Sequence, residues 1–475
     1  MPPGWRYKSL KFGPITLPWY ASPEAQLILV SFVCFLCPGM FNALNGLGGA
    51  GQIEKNAYAS NTSNCALYAT FAVVGFFAGT VTNTMGIRFA LSFGGLGYCI
   101  YVSSFLCFKY TQNLGYVIFS GLLLGCCAGI LWCAQGAIMM SYPEEKLKGR
   151  YISWFWVIFN LGAVIGGVIT LGLNINQKTK QNSSVNTATY VGFLILTSMG
   201  AALSWTLVDA KHVVRRDGTK IILMKHPTWR SEIRGLWETL RNDSYIVLLF
   251  PMFFSSNWFY TYQFNDVNGP NFNVRTRALN NILYWLAQMF GALAFGFALD
   301  FPNIRRTIRA KAAWLAMLIL TFAVWGGGYV FQRGFTREVS GPIYDWTDKG
   351  YIGPMFLYIL YGFYDAAWQT CVYWFMGAIT NNSRKLANFA GFYKGIQSSG
   401  AAISWRLDGF QNGSKSSFMG LFASCWILLA ASLVIALPVM ILKIKDTVPV
   451  EEDLKFTDET FDNIILYKRD DRNRG

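Results

Sequence analysis

Asp365 and Lys394 are the residues of this chain best placed to do chemistry. Each lies well inside an apolar run long enough to cross a bilayer. A charge at the centre of a membrane helix costs about 2.5–3.5 kcal/mol, so it is kept where it is paired or faces a wet cavity. Asp365 sits in Tyr361-Gly-Phe-Tyr-Asp365-Ala-Ala-Trp368-Gln369. The helical repeat puts Tyr361, Asp365, Trp368 and Gln369 on one face. Lys394 lies about two turns into the following apolar run, with Gln397 on its face. Adjacent antiparallel helices would carry the two charges to similar depth. One reading makes them part of a substrate or proton pathway, because an intramembrane carboxyl can exchange a proton during transport. The other makes them a static ion pair anchoring two helices. The sequence leaves both open.

Other polar residues in apolar runs are cavity candidates: Asn42, Asn45, Gln135, Asn160, Asn257 and Gln263. Each taken alone reads more readily as a helix–helix hydrogen bond. No nucleophile–base pair, phosphate loop or metal cluster stands out, so no enzyme, cofactor or metal is expected. The two histidines, His212 and His226, share one basic link. The ten cysteines fall inside or at the edges of apolar runs and read as small buried hydrophobes. Gly46-Leu-Gly48-Gly49-Ala-Gly51 matches the dinucleotide-binding GxGxxG pattern by letter. That chemistry needs a strand before the glycines and a helix after them. Here an apolar helix precedes them, so a close-packed turn is expected.

The elements that must position these groups are membrane helices. The chain has 475 residues and is only 14% charged, against about a quarter for soluble proteins. Twelve apolar runs, near 25–46, 62–85, 90–109, 114–140, 151–173, 189–208, 245–265, 277–299, 311–330, 352–376, 388–406 and 418–442, predict an all-α polytopic membrane protein. The net charge of +15 has its source in Lys and Arg crowding alternate links, at 146–150, 211–241, 305–311 and 384–385. Basic links face the cytoplasm. Both termini are therefore expected there, and anionic lipid rather than nucleic acid is the partner this charge implies. The expected organisation is a cytoplasmic segment 1–24, a six-helix bundle 25–208, a basic linker 209–244, a second bundle 245–442 and a tail 443–475. In the linker, Trp229, Ile233, Leu236 and Leu240 fall at helical spacing, which suggests an amphipathic helix on the membrane surface. Asn61, Asn182 and Asn412 open glycan acceptor tripeptides in outer links.

The halves repeat one another. Gly136-Ala137-Ile138 and Gly377-Ala378-Ile379 end runs four and ten, and a basic pair follows each. Asn160-Leu-Gly162-Ala163-Val-Ile165 in run five parallels Ser398-Ser-Gly400-Ala401-Ala-Ile403 in run eleven. Pro38 and Pro251 interrupt runs one and seven. Matched breaks in corresponding helices point to a transporter's binding site. Gly162, Gly166, Gly167, Gly391, Gly395 and Gly400 are expected where helices touch.

The stretch Pro38-Gly-Met-Phe-Asn-Ala-Leu-Asn-Gly-Leu-Gly-Gly-Ala-Gly51-Gln resembles the first-helix signature of the uncoordinated-93-like family. So does Tyr142-Pro-Glu-Glu-Lys-Leu-Lys-Gly149-Arg150-Tyr. The segments around Asp365 and Ala390-Gly-Phe-Tyr-Lys394-Gly-Ile-Gln397-Ser-Ser-Gly400 extend the likeness, which is greatest to fungal members. The resemblance implies the major facilitator fold: two six-helix bundles around a central cavity, moving a small solute by alternating access, with proton coupling as an option. Asn83-Thr-Met-Gly86-Ile-Arg88 and Asp300-Phe-Pro-Asn-Ile-Arg305-Arg306 resemble degenerate copies of that superfamily's gating motif. Arg88, Asp300, Arg305 and Arg306 are thus gating candidates, and the first copy lacks the motif's acid. Animal namesakes include a potassium-channel regulatory subunit and a receptor-trafficking chaperone. The alternative function is therefore a non-transporting subunit with a membrane-protein partner.

Overall fold

The computed structural model describes residues 4–12, 15–51, 57–142, 148–176, 185–209, 212–214, 229–337, 341–380, 383–409 and 417–446. The helices among them make twelve passes. Spans 1 and 2 are each two helices in line, Pro23–Leu36 with Pro38–Asn45 and Ala57–Gly75 with Ala78–Met85. Spans 3 to 6 are Ile87–Thr111, Leu114–Ser141, Lys148–Asn174 and Thr187–Leu203. Span 7 runs in short pieces from Ser244 to Asn271, and spans 8 to 12 are Val274–Leu299, Arg306–Gln332, Ile352–Ile379, Ser383–Asp408 and Phe418–Leu442. Eight of these passes are long and apolar enough to cross a membrane by length and composition alone. The other four, spans 2, 7, 10 and 11, are broken or rich in Tyr, Trp, Asn and Gln. They also build a large part of the cavity wall described below. Large side chains such as Phe290, Phe297, Ile427 and Leu442 point outward and exposed, which only hydrocarbon makes favourable. The chain is an integral, multi-pass membrane protein with lipid as its surrounding medium.

Span 2 begins five residues before its apolar run. Asn61 is expected in a link, and Ser63 and Asn64 are polar for the start of a span, yet each is buried in helix with a tertiary partner. Ser63 Oγ donates to the Val117 carbonyl at 2.9 Å and Asn64 Nδ2 to Asn45 Oδ1 at 2.8 Å. Satisfied polar groups tolerate burial that hydropathy alone forbids. Pro38 breaks span 1 as expected, because it lacks an N–H and its ring crowds the preceding turn. Cys37 before it turns out of the helix at φ −101°, ψ −81°. Span 7 departs furthest from a plain helix. After Pro251 it passes through a π-helical stretch at Tyr262–Asn268, a distortion frequent at functional sites.

Span 2 packs on span 4 and span 1 on span 5; in the second half, span 8 packs on span 10 and span 7 on span 11. Across the halves, span 2 meets span 11 and span 5 meets span 8. Each half has its own apolar core. The repeat seen in sequence is a repeat in space. A Cβ on Gly162 would lie 2.4 Å from the Phe35 carbonyl of span 1, and one on Gly400 would lie 2.1 Å from the Phe254 carbonyl of span 7. Gly391 departs from its expected role: nothing lies within 4 Å of a Cβ there.

Some strand is present besides helix. Leu10–Phe12 pairs antiparallel with Ile15–Leu17. The residues on either side of this pair are tied to the link after span 6, where the Tyr7 hydroxyl donates to the His212 carbonyl at 2.9 Å and Val214 N to the Ala21 carbonyl at 3.2 Å. Twelve passes bring residues 22 and 446 to one end of the bundle, the terminal end. The linker helix Trp229–Asn242 also lies there. It docks through buried Gly235 and Thr239, since Asn388 Nδ2 of span 11 donates to Thr239 Oγ1 at 2.8 Å and to the Gly235 carbonyl at 3.2 Å. Leu236 and Leu240 pack on the second core, while Ile233 and Trp237 are exposed. The expected apolar face is therefore split between protein and bilayer surface.

At the far end, Asp345 in the link between spans 9 and 10 ties down the start of span 8. It pairs with Arg275 and accepts from Asn273 Nδ2 at 2.8 Å and Thr276 Oγ1 at 3.2 Å. Hydrogen bonding from Arg275, reinforced by Thr347 and Asn273, holds its carboxyl well below the usual range. A group with a depressed folded pKa stabilises the fold above its unfolded value, about 3.9, and loses that contribution as pH falls through the folded value. Asp345→Asn is expected to lower thermal stability at pH 7 by leaving Arg275 without its counter-charge, a loss of about 1–2 kcal/mol for a hydrogen-bonded pair close to the surface. The gap between wild type and variant should narrow as the pH is taken below 4. Melting curves of both proteins from pH 7 to pH 3 check this, and a gap independent of pH would contradict it.

Candidate functional site

A cavity of about 100 Å³ lies between the halves at mid-depth. Span 1 contributes Pro38 and Asn42, span 4 Trp132, and span 5 Trp156. The second half contributes Asn257 and Tyr260 from span 7, Gln288 from span 8, Gln369 from span 10, and Lys394 and Gln397 from span 11. The wall is thus largely aromatic rings with interspersed amides, and among the described residues Lys394 is the one ionised side chain on it.

Asp365 is fully buried one residue behind this wall. Its carboxylate accepts from the Tyr260 hydroxyl at 2.7 Å, the Tyr284 hydroxyl at 3.2 Å, Gln369 Nε2 at 2.8 Å, and Gln288. Three spans supply these donors, and Tyr260, Gln288 and Gln369 each also border the cavity. Four hydrogen bonds are what allows a carboxylate to be kept in the bilayer interior.

Lys394 is held otherwise. Its Nζ donates to Gln397 Oε1 at 3.0 Å. It also lies 5.2 Å from the ring centroid of Tyr393, 5.5 Å from that of Trp132 and 5.7 Å from that of Tyr373, within cation–π range. Trp132 belongs to the first half, so this cation spans the interface. The static ion pair considered from sequence is absent: Asp365 and Lys394 make no direct contact. A hydrogen-bonded chain joins them. Gln397 Nε2 donates to the Tyr393 hydroxyl at 3.2 Å, and that hydroxyl reaches Gln369 Oε1 at 3.5 Å, beside Asp365.

The expected common face of span 10 divides. Asp365 and Gln369 turn to the cavity side. Tyr361 turns away and packs on Trp325, ring centroids 5.2 Å apart. Trp368 donates from Nε1 to Ser256 Oγ at 3.1 Å inside the second half. Four positions cover more than one helical face, and neighbouring helices decide which part lines space. Asn45 is also no wall residue: its Oδ1 accepts from Asn64 and from the Tyr101 hydroxyl at 3.3 Å. Gln135 is buried against Met139, and Gln263 Oε1 lies 2.8 Å from the Tyr284 hydroxyl, whose one proton it shares with Asp365. Asn160 is buried off the wall, its Oδ1 without a hydrogen-bond partner. Sequence reasoning missed Gln288, though a glutamine in an apolar run carries the same signal as Gln135. It also missed Tyr260, Tyr284, Trp132 and Trp156, which no local signal separates from the chain's other aromatics.

Hydrogen bonds between the halves close the cavity toward the far end. Gly49 N donates to Asn265 Oδ1 at 2.9 Å, Asn268 Nδ2 to the Gly46 carbonyl at 2.8 Å, and Asn281 Nδ2 to the Ala43 carbonyl at 2.7 Å. The GxGxxG stretch is the expected close-packed turn. Gly48 has φ +79°, and a Cβ there would lie 2.6 Å from the Phe264 carbonyl of span 7. Beside it, Asp408 pairs with Arg337 and accepts from Asn61 Nδ2 at 2.8 Å and Asn265 Nδ2 at 3.2 Å, while Arg337 also lies 3.4 Å from Asp266. Two buried carboxylates thus share one guanidinium. Asn61 is corrected as a glycan acceptor: it is buried in helix with its amide engaged, where no glycan fits. Asn182 and Asn412 lie outside the described residues.

The family described as "Ion channel regulatory protein UNC-93" matches residues 50–406. The chain belongs to the UNC-93 family. An UNC93-like protein of Schizosaccharomyces pombe is 47% identical over 94% of this chain and 88% of its own length. UNC93-like protein 1 of Arabidopsis thaliana is 41% identical over 82% of this chain and 84% of its own. In fold, this UNC-93 chain is similar to a D-xylose–proton symporter, with a TM-score of 0.57 at 14% identity, covering 90% of this chain and 97% of that one. It is similar also to the nucleoside transporter NupG, with a TM-score of 0.54 at 12% identity over 88% and 98% of the two chains. The likeness is one of fold, the twelve-helix architecture of these transporters.

The gating candidates of this UNC-93 chain take a repeated arrangement. Arg88 lies 3.5 Å from Asp209, just past span 6, so an acid distant in sequence stands where the motif lacks one. In the second half Asp446, just past span 12, accepts from Thr307 N at 3.0 Å and Thr307 Oγ1 at 2.9 Å. Those two bonds, with help from the charges of Arg305 and Arg306, hold its carboxyl below the usual range. Asp300 instead accepts from Trp374 Nε1 at 3.3 Å. Each of these contacts stays within one half, and in this conformation none of them joins the bundles.

Proposed function

We propose that this chain is a secondary transporter that moves a small solute by alternating access, with Asp365 as its proton-carrying group and both chain ends in the cytoplasm. The observation that carries the reading is a polar and aromatic cavity at mid-depth between two repeated bundles, with a buried carboxyl one residue behind its wall. Substrate and coupling-ion sites of such transporters lie at the repeat interface near the midplane. The far-end network supplies a closed gate on one side. The basic links supply the orientation, through their preference for the cytoplasmic face. The test is reconstitution of the full chain in proteoliposomes, a broad solute screen, and an imposed pH gradient. Accumulation that follows the gradient is the expected result. Failure of every solute to move, with or without the gradient, would overturn it.

A second reading, a regulatory subunit for another membrane protein, is favoured by the smallness of the cavity. About 100 Å³ is below the roughly 300–1,000 Å³ of ordinary ligand sites. It predicts a stable protein partner that co-purifies with the chain and no flux in the assay above.

A further inference from the structure

We propose that the central cavity takes a small aromatic acid in its anionic form, with the acid group at Lys394 and the ring along the wall of Trp132, Trp156 and Tyr260. The argument starts from charge. Of the two charged side chains at mid-depth, Lys394 borders the cavity and Asp365 does not. Asp365 has zero exposure and four hydrogen-bond donors, so it shows the cavity amide and hydroxyl groups and not its charge. Aromatic boxes commonly bind cations, and a cationic solute is the obvious rival. Here the box is already filled. The rings of Tyr393, Trp132 and Tyr373 surround the ammonium of Lys394 itself. A second cation would meet a like charge in a low-dielectric site, at a steep cost.

The ammonium has three N–H donors and the structure gives it one hydrogen bond, to Gln397 Oε1 at 3.0 Å. An acid group supplies the acceptors and the counter-charge together, and charge-assisted bonds are about twice as strong as neutral ones. The amides of Asn42, Asn257 and Gln288 add neutral donors around the same space. The rest of the wall is mostly ring faces and edges, with Leu67, Leu124 and Ala128 between them, which favours a planar apolar body over a sugar. Size limits that body further. An apolar cavity of roughly 150 Å³ holds benzene, so about 100 Å³ limits the ligand to one ring and requires side chains of the wall to shift as it enters.

This inference deepens the transport reading, on which its physiological meaning rests, and is tested by binding alone. The probes are benzoate, its neutral counterpart benzamide and its cationic counterpart benzylamine, each titrated into the purified full-length protein. The readouts are tryptophan quenching and direct radioligand binding. Saturable benzoate binding is expected, with benzamide and benzylamine weaker by roughly ten-fold or more, the loss of one charge-assisted hydrogen bond. Lys394→Gln should weaken benzoate by a similar factor and tighten benzylamine, a gain that a collapsed cavity could not show. Lys394→Arg should retain most of the acid preference. Equal binding of acid and amide, preference for the amine, wild-type benzoate affinity in Lys394→Gln, or no binding of any probe would each overturn the assignment. Benzoate that binds but never crosses a proteoliposome would leave the ligand class standing and sink transport. Flux of a neutral solute indifferent to benzoate would do the reverse.

Discussion

Asp365→Asn is expected to leave the protein folded and to abolish accumulation driven by a pH gradient, while solute exchange without a gradient persists. The replacement has nearly the same shape and no exchangeable acid. Oδ2 of Asp365 accepts from Tyr260, Tyr284 and Gln288, and an asparagine carbonyl can take the same place. Oδ1 accepts from Gln369 alone at 2.8 Å. The asparagine amide would face Gln369 there, and a flip of that glutamine presents Oε1 as an acceptor. Packing is thus conserved and only the proton is lost. A proton coupled to solute binding at the usual 1–3 kcal/mol changes affinity by roughly 5–150-fold. That factor should disappear from a comparison of uptake with and without the gradient, while counterflow stays near wild type. Gradient-driven accumulation equal to wild type would show that Asp365 is a structural anchor.

Arg337→Ala is expected to shift the protein toward a state open at the far end. Arg337 is the shared partner of Asp266 and Asp408, whose side chains are 1% and 2% exposed, and it sits over the Phe418 ring at 4.3 Å. Removing one member of a fully buried pair costs about 3–5 kcal/mol. Arg337 keeps 22% exposure, so screening reduces this to about 2 kcal/mol, roughly a 30-fold change in the closed-to-open ratio. The strain falls on the closed state, because there Asn61 of the first half covers Asp408, and separation of the halves lets that carboxylate hydrate. The readout is the rate at which an impermeant thiol reagent, applied from the far side, labels Asn42→Cys on the cavity wall. It should rise many-fold with Arg337→Ala and only modestly with Arg337→Lys. An unchanged rate would mean that the far-end network does not gate the cavity.

Both expectations rest on contacts of unequal visibility. Asp365 and Lys394 stand out by type, since any charge in an apolar run does. The far-end latch does not. Arg337 and Asp408 are charges near helix ends, indistinguishable from solvated ones until the fold buries them together. Asn61 shows the same limit from the other side: read as a glycan acceptor, it proves to be a buried donor to Asp408. Tyr260 and Tyr284, two of the four donors on Asp365, are ordinary aromatics until span 7 and span 8 meet span 10.

By itself, the sequence determined that this chain crosses a membrane twelve times in two repeated halves, because hydropathy, helical period and the motif echo of Gly162 and Gly400 are carried by short stretches. It also singled out the two intramembrane charges, because their cost in hydrocarbon depends on residue type alone. Only the tertiary structure decided that Lys394 borders the cavity while Asp365 stands behind it, that no ion pair joins them, and that Tyr361 and Trp368 turn away. Those outcomes depend on which spans meet and at what rotation. That is set by packing between residues far apart in the chain, such as Trp132 against Lys394 and Gly48 against Phe264, which no local pattern encodes.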